Sequence, residues 1–313
     1  MQGGKAVKKL HAAVTLATIL ALLAVSPAAA DSDDDNAKFG EWSAATNLGT
    51  TINSTFADFG PGLSPDGNSL YFASTRPGGS GFADLWVAQR GNKNAPWETP
   101  VNLGPTVNSA GVDAVPSFSH DGHWMFFASD RSGGLGQNDI WVSFRTNPND
   151  DFAWQSPVNL GAPINSASFD AGPALIREGG QEVLYFNSDR GGSQDFYASV
   201  RQRNGMFGTP TLVTALSSPA SDQRITFRKD GREVFFFSSR AGSAALDLWT
   251  STREGRAAAW STPTNVGSAV NTAANDFQPT LSRDGLTLIF ASDRPGGHGS
   301  IDLYMATRVR ADD

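Results

Sequence analysis

The chain has 313 residues, a formal net charge of -7 and no cysteine. The absent thiols exclude disulfides, thiolate metal sites and a cysteine nucleophile, and no basic stripe offers itself to a nucleic-acid backbone. Charged residues make up only 18%, against 33 glycines, 20 phenylalanines and 8 tryptophans, a balance that favours short strands joined by turns.

Lys5, Lys8 and Lys9 precede an apolar stretch over residues 12–25, followed by Ser26-Pro27-Ala28-Ala29-Ala30. This is the pattern of a secretory signal peptide over residues 1–30. The apolar run is too short to span a bilayer comfortably, so no retained membrane span is expected. Residues 31–41 open on Asp31-Ser32-Asp33-Asp34-Asp35-Asn36 and read as a disordered acidic spacer. Export to a periplasm or the extracellular space is expected.

Residues 42–308 are an internal repeat, with a tail over 309–313. Trp42, Trp97, Trp154, Phe207 and Trp260 open five units. Each unit then carries Asn-Leu-Gly or a variant of it, lost in the fourth unit. An Asn follows at 53, 108, 165 and 271, replaced once by Ser217. Next come Asp58, Asp113, Asp170, Asp222 or Asp276, and then a turn such as Pro65-Asp66-Gly67-Asn68. An aromatic-rich strand follows, exemplified by residues 69–74, and ends at Arg76, Arg131, Arg190, Arg240 or Arg294. A glycine loop leads to a second Asp and a short strand closed by Arg90, Arg145, Arg201, Arg253 or Arg308. The first unit predicts strands over 59–64, 69–74 and 84–89, with an outer strand over 97–103. Nothing in this region has helical periodicity. Four short strands per unit predict an all-β fold, a five-bladed β-propeller. The chain ends after the third strand of its last unit, so the N-terminal strand over 42–48 is expected to complete the last blade and remove an open edge.

Ser64-Pro65-Asp66-Gly67 followed by residues 70–74, and Ser292-Asp293-Arg294-Pro295-Gly296-Gly297 followed by Asp302-Leu303-Tyr304, resemble the WD-like propeller repeat of the TolB-type family. The resemblance covers residues 42–308. It implies a propeller in the cell envelope that binds envelope proteins. The α/β domain that precedes such propellers has no counterpart in this chain. One fold hosts many activities, so the resemblance speaks to fold more than to function.

The loops that carry the repeated Asp and Arg are predicted to emerge on one face, ringing one mouth of the channel. Two roles compete for Asp58, Asp113, Asp170, Asp222 and Asp276: a ligand or calcium site, or loop fasteners paired with Arg76, Arg131, Arg190, Arg240 and Arg294. Five adjacent carboxylates repel one another unless paired, and a feature repeated in every blade serves the fold, so the fastener role is expected. Asymmetry points to Arg224. The matching positions in other units are Gly60, Val115, Gly172 and Gln278, and Ile225 replaces the proline that follows in each of them. Arg224 is a candidate for an anionic ligand, such as a peptide carboxylate or a uronic acid, with Asp170, Asp222, Asp276 and Gln278 around it. The competing role is an ion pair with Asp222 or Asp276. Arg228 is expected to face solvent.

His120 and His123 flank a turn on the other face, and His298 sits alone in a glycine loop, so neither a metal nor an acid–base role is expected of them. The unit-opening tryptophans are expected to pack between blades. Two functions follow. One is a non-catalytic platform that binds an envelope protein, a peptide or an anionic oligosaccharide. The other is a secreted carbohydrate-active enzyme, a glycoside hydrolase or polysaccharide lyase, acting at the mouth.

Overall fold

The computed structural model describes residues 38–311; the expected signal peptide and most of the expected acidic spacer lie outside them. Five four-stranded antiparallel sheets form a five-bladed β-propeller, and no helix occurs among the described residues. Blade one is Asp58–Leu63, Ser69–Ser74, Asp84–Gln89 and Val101–Asn102. Blade two is Asp113–Phe118, Trp124–Ser129, Asp139–Phe144 and Val158–Asn159. Blade three is Asp170–Glu178, Gln181–Ser188, Asp195–Val200 and Thr211–Leu212. Blade four is Asp222–Phe227, Glu233–Ser238, Asp247–Thr252 and Thr264–Asn265. Blade five is Asp276–Leu281, Thr287–Ser292 and Asp302–Thr307, completed by Thr46–Asn47 from the start of the chain.

The ring closes as the repeat predicts: Thr46 pairs with Met305 and Asn47 with Tyr304. Ser43 N and Leu48 N donate to the carbonyls of Thr307 (2.7 Å) and Leu303 (3.0 Å). Pairing runs further out than the expected strand, to a bridge between Phe39 and Arg310. Inner strands begin on the repeated Asp, one residue before the expected Phe59. Outer strands are far shorter than expected, two residues instead of seven in blade one. The rest of that segment touches the third strand only at isolated bonds, from Glu98 N to Gln89 O and from Leu103 N to Leu85 O, without a continuous ladder.

The core lies between blades. The second strand of blade one is buried along its whole length. Tyr71, Leu85 and Val87 of blade one meet Met125, Phe127 and Trp141 of blade two. Trp124, Phe126 and Val142 of blade two meet Leu184 and Phe186 of blade three. These alternating apolar faces stack blade on blade without helices to cover them.

Every inner strand carries a bulge at one place, two residues after its Asp. Gly60, Val115, Gly172, Arg224 and Gln278 take left-handed backbone there, with φ of 59°, 53°, 59°, 49° and 53°. Pro61, Pro116, Pro173 and Pro279 follow in four blades and have no N–H to give to a ladder. Ile225 follows Arg224, yet the bulge persists, so the ring imposes it rather than the proline. The bulge frees inner-strand carbonyls toward the channel.

Candidate functional site

Inner strands start, and second strands end, on the same face, so the loops carrying the repeated Asp and Arg share one mouth. Each ring carboxylate is filled by its own blade. Asp58 is fully buried. It accepts Arg76 Nη2 (2.7 Å) and Ser74 Oγ (2.5 Å) on one oxygen, and Ser54 N (2.6 Å) and Ser54 Oγ (2.8 Å) on the other. Arg76 also donates to the Ile52 carbonyl at 2.6 Å and lies over Phe72 and Trp86. The pairs Arg131–Asp113, Arg190–Asp170, Arg240–Asp222 and Arg294–Asp276 repeat this with all four aspartates fully buried. A second carboxylate per blade holds its glycine loop: Asp139 accepts Leu135 N (2.5 Å), Gly136 N (3.1 Å) and Asn159 Nδ2 (2.7 Å). Among the described residues, no group of three or more His, Asp or Glu is arranged to hold a metal.

Arg224 does something the sequence did not suggest. It pairs with neither Asp222 nor Asp276. Its side chain crosses the channel from blade four to blades one and two. There it donates to the carbonyls of Pro61 (2.8 Å), Pro116 (2.8 Å) and Val115 (2.5 Å). It is 3% exposed, and burial with no carboxylate beside it pulls its pKa down to about 9. It still carries its proton at neutral pH, with carbonyl dipoles in place of a counter-ion. The channel is therefore plugged by a cation that belongs to the chain. Gln278, at the matching position of blade five, has its Oε1 buried without a partner, as is Arg224 Nε. The structure does not gather Asp170, Asp222 and Asp276 around Arg224; each is committed to its own arginine.

Arg228 is not solvent-facing either. It is clamped between Asp230 (2.5 Å) and Glu233 (3.3 Å) and lies over Phe39. His123 donates from Nδ1 to the Arg145 carbonyl at 2.9 Å. His298 is exposed. The unit-opening tryptophans are covered by the arginines that close each third strand: Arg90 on Trp97 (4.1 Å), Arg145 on Trp154 (4.2 Å), Arg253 on Trp260 (4.1 Å) and Arg308 on Trp42 (4.5 Å).

What the mouth leaves exposed is not repeated. Phe56, Phe82 and Leu135 are 43%, 75% and 53% exposed. They belong to mouth loops of blades one and two, with no counterpart of that size exposed on blades three to five among the described residues. Asp130, Asp189 and Asp293 stand where blades one and four have Thr75 and Ser239. Asp130 Oδ1 accepts Val112 N at 2.6 Å, and Phe82 N donates to Gly111 O at 3.0 Å, so Asp130 and Phe82 flank one short stretch of backbone. The mouth loops contain no lysine and no glutamate, and their arginines are all paired to the ring.

The chain matches no family model and no curated protein. Solved structures are similar in fold. An alpha-L-arabinofuranosidase from Lactobacillus brevis superposes with TM-score 0.58 at 14% identity, over 84% of this chain and 92% of that one. The alpha-L-arabinofuranosidase PaAbf62A from Podospora anserina, in complex with cellotriose, gives 0.56 at 13% identity, over 88% and 99%. A putative TolB from Agrobacterium tumefaciens gives 0.49 at 17% identity, over 82% and 78%. At these identities the likeness is one of fold, and the fold is a β-propeller.

Proposed function

We propose that this chain is an exported, non-catalytic binding platform of the bacterial cell envelope, and that its mouth docks a protein or peptide. The observation that carries this reading is the contrast within the mouth. Its repeated charges are consumed by the fold, while the unrepeated Phe56, Phe82 and Leu135 stay exposed on one side of the rim. Exposed apolar side chains grouped on one face are the usual mark of a protein contact. The charges left over there are acidic: Asp130, Asp189 and Asp293. The partner that fits presents lysine or arginine beside apolar side chains, and an anionic oligosaccharide fits poorly.

A glycoside hydrolase needs two carboxylates about 5–10 Å apart around the sugar. The five ring aspartates are fully buried and already engaged, and the acids left over, Asp130, Asp189 and Asp293, each accept a backbone amide of a mouth loop, so that reading draws less support. The test is cross-linking in intact envelopes, comparing the wild type with a Phe82→Ser, Leu135→Ser double variant. The platform reading expects one dominant partner, lost in the variant and weakened by salt, with the melting temperature unchanged. Turnover of aryl arabinofuranosides by the purified protein, abolished by mouth variants, sinks it.

A further inference from the structure

The seams between blades are built alike at the mouth, and two of the five leave more open than the rest. In each seam a glycine loop lies against the start of the next inner strand. Asp58 N donates to Ile301 O (2.9 Å), Asp113 N to Ala83 O (2.8 Å), Asp170 N to Asn138 O (2.9 Å), Asp222 N to Gln194 O (2.8 Å) and Asp276 N to Leu246 O (2.7 Å). The residue just before the repeated Arg closes the seam: Thr75, Asp130, Asp189, Ser239 or Asp293.

The three carboxylates among these are not equivalent. Asp293 spends both oxygens on Asn275, Oδ1 on its N (2.8 Å) and Oδ2 on its Nδ2 (2.7 Å). Asp130 accepts Val112 N at 2.6 Å and Asp189 accepts Phe169 N at 2.8 Å, each through Oδ1 alone. Their Oδ2 atoms take no bond among the described residues, and neither is sealed from water. The arginines beside them are occupied: Arg131 with Asp113 and the Val107 carbonyl, Arg190 with Asp170 and the Ile164 carbonyl.

The same two seams carry exposed apolar side chains. Phe82 N bonds Gly111 O (3.0 Å), one residue from the amide that Asp130 holds. In the next seam Gln137 N bonds Ser168 O (3.3 Å), one residue from the amide that Asp189 holds, and Leu135 stands two residues back on that loop. Both loops are set before a partner arrives. Gly81 and Gly136 allow the close approach: a Cβ there would lie 2.3 Å from Gly111 O and 2.1 Å from Ser168 O. Asp84 clamps the Phe82 loop through Ser80 N, Gly81 N and Asn102 Nδ2, as Asp139 clamps the Leu135 loop. Both are 1% exposed, and among the described residues neither pairs with a cation, so each adds negative charge behind its loop.

We infer that the seams between blades one and two and between blades two and three are tandem subsites for two lysine or arginine side chains of one partner segment. Each head meets the open oxygen of Asp130 or Asp189, and each stem lies against Phe82 or Leu135. A long cation needs an apolar wall for its methylenes and a carboxylate for its head, and these two seams offer both. An anionic segment meets four carboxylates. A wholly apolar one desolvates Asp130 and Asp189 without a partner. The seam between blades five and one has Phe56 but Thr75 in place of the acid, and the seam between blades four and five has an acid already filled. The assignment rests on the mouth being the docking face, and names what that face selects.

The experiment is fluorescence anisotropy with labelled peptides of leucine and serine that carry two lysines spaced by one to four residues. One-lysine and two-glutamate peptides are the controls. At least one two-lysine peptide is expected to bind about fivefold tighter than the one-lysine peptide, the worth of one exposed ion pair. Asp130→Asn and Asp189→Asn are each expected to remove that advantage, because asparagine still accepts the seam amide but carries no charge. Asp293→Asn is expected to leave it intact, with all three melting temperatures near that of the wild type. Equal binding of one-lysine and two-lysine peptides overturns the inference. So does equal weakening by Asp293→Asn, and so does the absence of binding by any lysine peptide. If Phe82→Ser, Leu135→Ser abolishes the cross-linked envelope partner while Asp130→Asn and Asp189→Asn leave it in place, the docking face stands and the two cation subsites fall.

Discussion

The two faces of the propeller use arginine differently. On the mouth, five arginines repeat a single pairing, each with an inner-strand aspartate that is fully buried. On the opposite face, the five arginines after the third strands each donate to a loop carbonyl (Arg90 to Gly67, Arg145 to Gly122, Arg201 to Gly205, Arg253 to Gly231, Arg308 to Gly285), four of them stack on a unit-opening tryptophan, and the paired acid varies: Asp151, Glu182, Glu178, Glu233, or, for Arg90, none in direct contact, with Asp284 and Asp66 acting from further off. The reason is burial. A carboxylate sealed from water needs a cation in every blade. An arginine held by a ring face and a carbonyl keeps its place without one. Uniform pairs are therefore fasteners, and the face with interchangeable partners tolerates a blade end, Arg90, with no acid in direct contact.

Breaking a mouth fastener should have the largest effect. Arg131→Ala leaves Asp113 buried and uncompensated and is expected to cost about 3–5 kcal/mol, read from urea unfolding. Arg294→Ala in blade five should cost nearly the same. A blade that tolerates the change would show that its aspartate has another role and end the claim of uniformity. Arg224→Met comes next. It strands the carbonyls of Pro61, Val115 and Pro116, at about 3 kcal/mol for the group. Arg224→Lys should recover little of this, because an ammonium lacks the planar fork that reaches two blades. Full recovery by lysine would mean that charge, not geometry, plugs the channel.

These two effects also mark what the sequence could reveal. The fasteners were legible because they recur: an Asp, its Arg and the strand between them stand at fixed offsets in five units. Blade closure was legible because the last unit lacks a strand that the first supplies. Arg224 was visible as an exception, but its partners were not. They are backbone carbonyls of blades one and two, exposed by bulges whose left-handed residues include Val115 and Gln278, which no propensity would place there. Asp151 left a fainter trace. It stands three residues before Trp154, where the other units have Phe39, Asn94, Asn204 and Ala257. The outer strands were overestimated because only two residues of each pair in register with the third strand, the rest reaching it at isolated backbone bonds.

On the opposite face the effects should be smaller and uneven. Arg308 is 6% exposed, paired with Glu233 and lying over Phe39 and Trp42. Its loss should cost about 2 kcal/mol, since Glu233 keeps a second cation in Arg228. Arg90→Ala should cost about 1 kcal/mol, the worth of a stacked side chain whose Nε and Nη2 share one carbonyl, Gly67 O. Equal losses would mean that Glu233 adds nothing, and the contrast between a paired and an unpaired blade end would lose its energetic basis.

The smallest effect lies at acid pH and also separates the faces. Burial pushes the Asp230 carboxyl up, but Arg228 and the Arg232 amide outweigh it, so its pKa stands below the ordinary 3.8. A carboxyl whose folded pKa is depressed contributes stability above its unfolded pKa and loses it as pH falls through the folded one. The loss due to Asp230 therefore sets in near the ordinary value and deepens below it. Asp230→Asn should lower the melting temperature by about 1–2 °C at neutral pH and converge with the wild type as pH drops below 3.8, since protonation then leaves the wild-type side chain as uncharged as the asparagine. If the gap persists in acid, Asp230 acts through its turn hydrogen bonds to Arg228 and Arg232 rather than through its charge, and the opposite face, like the mouth, is held by geometry first.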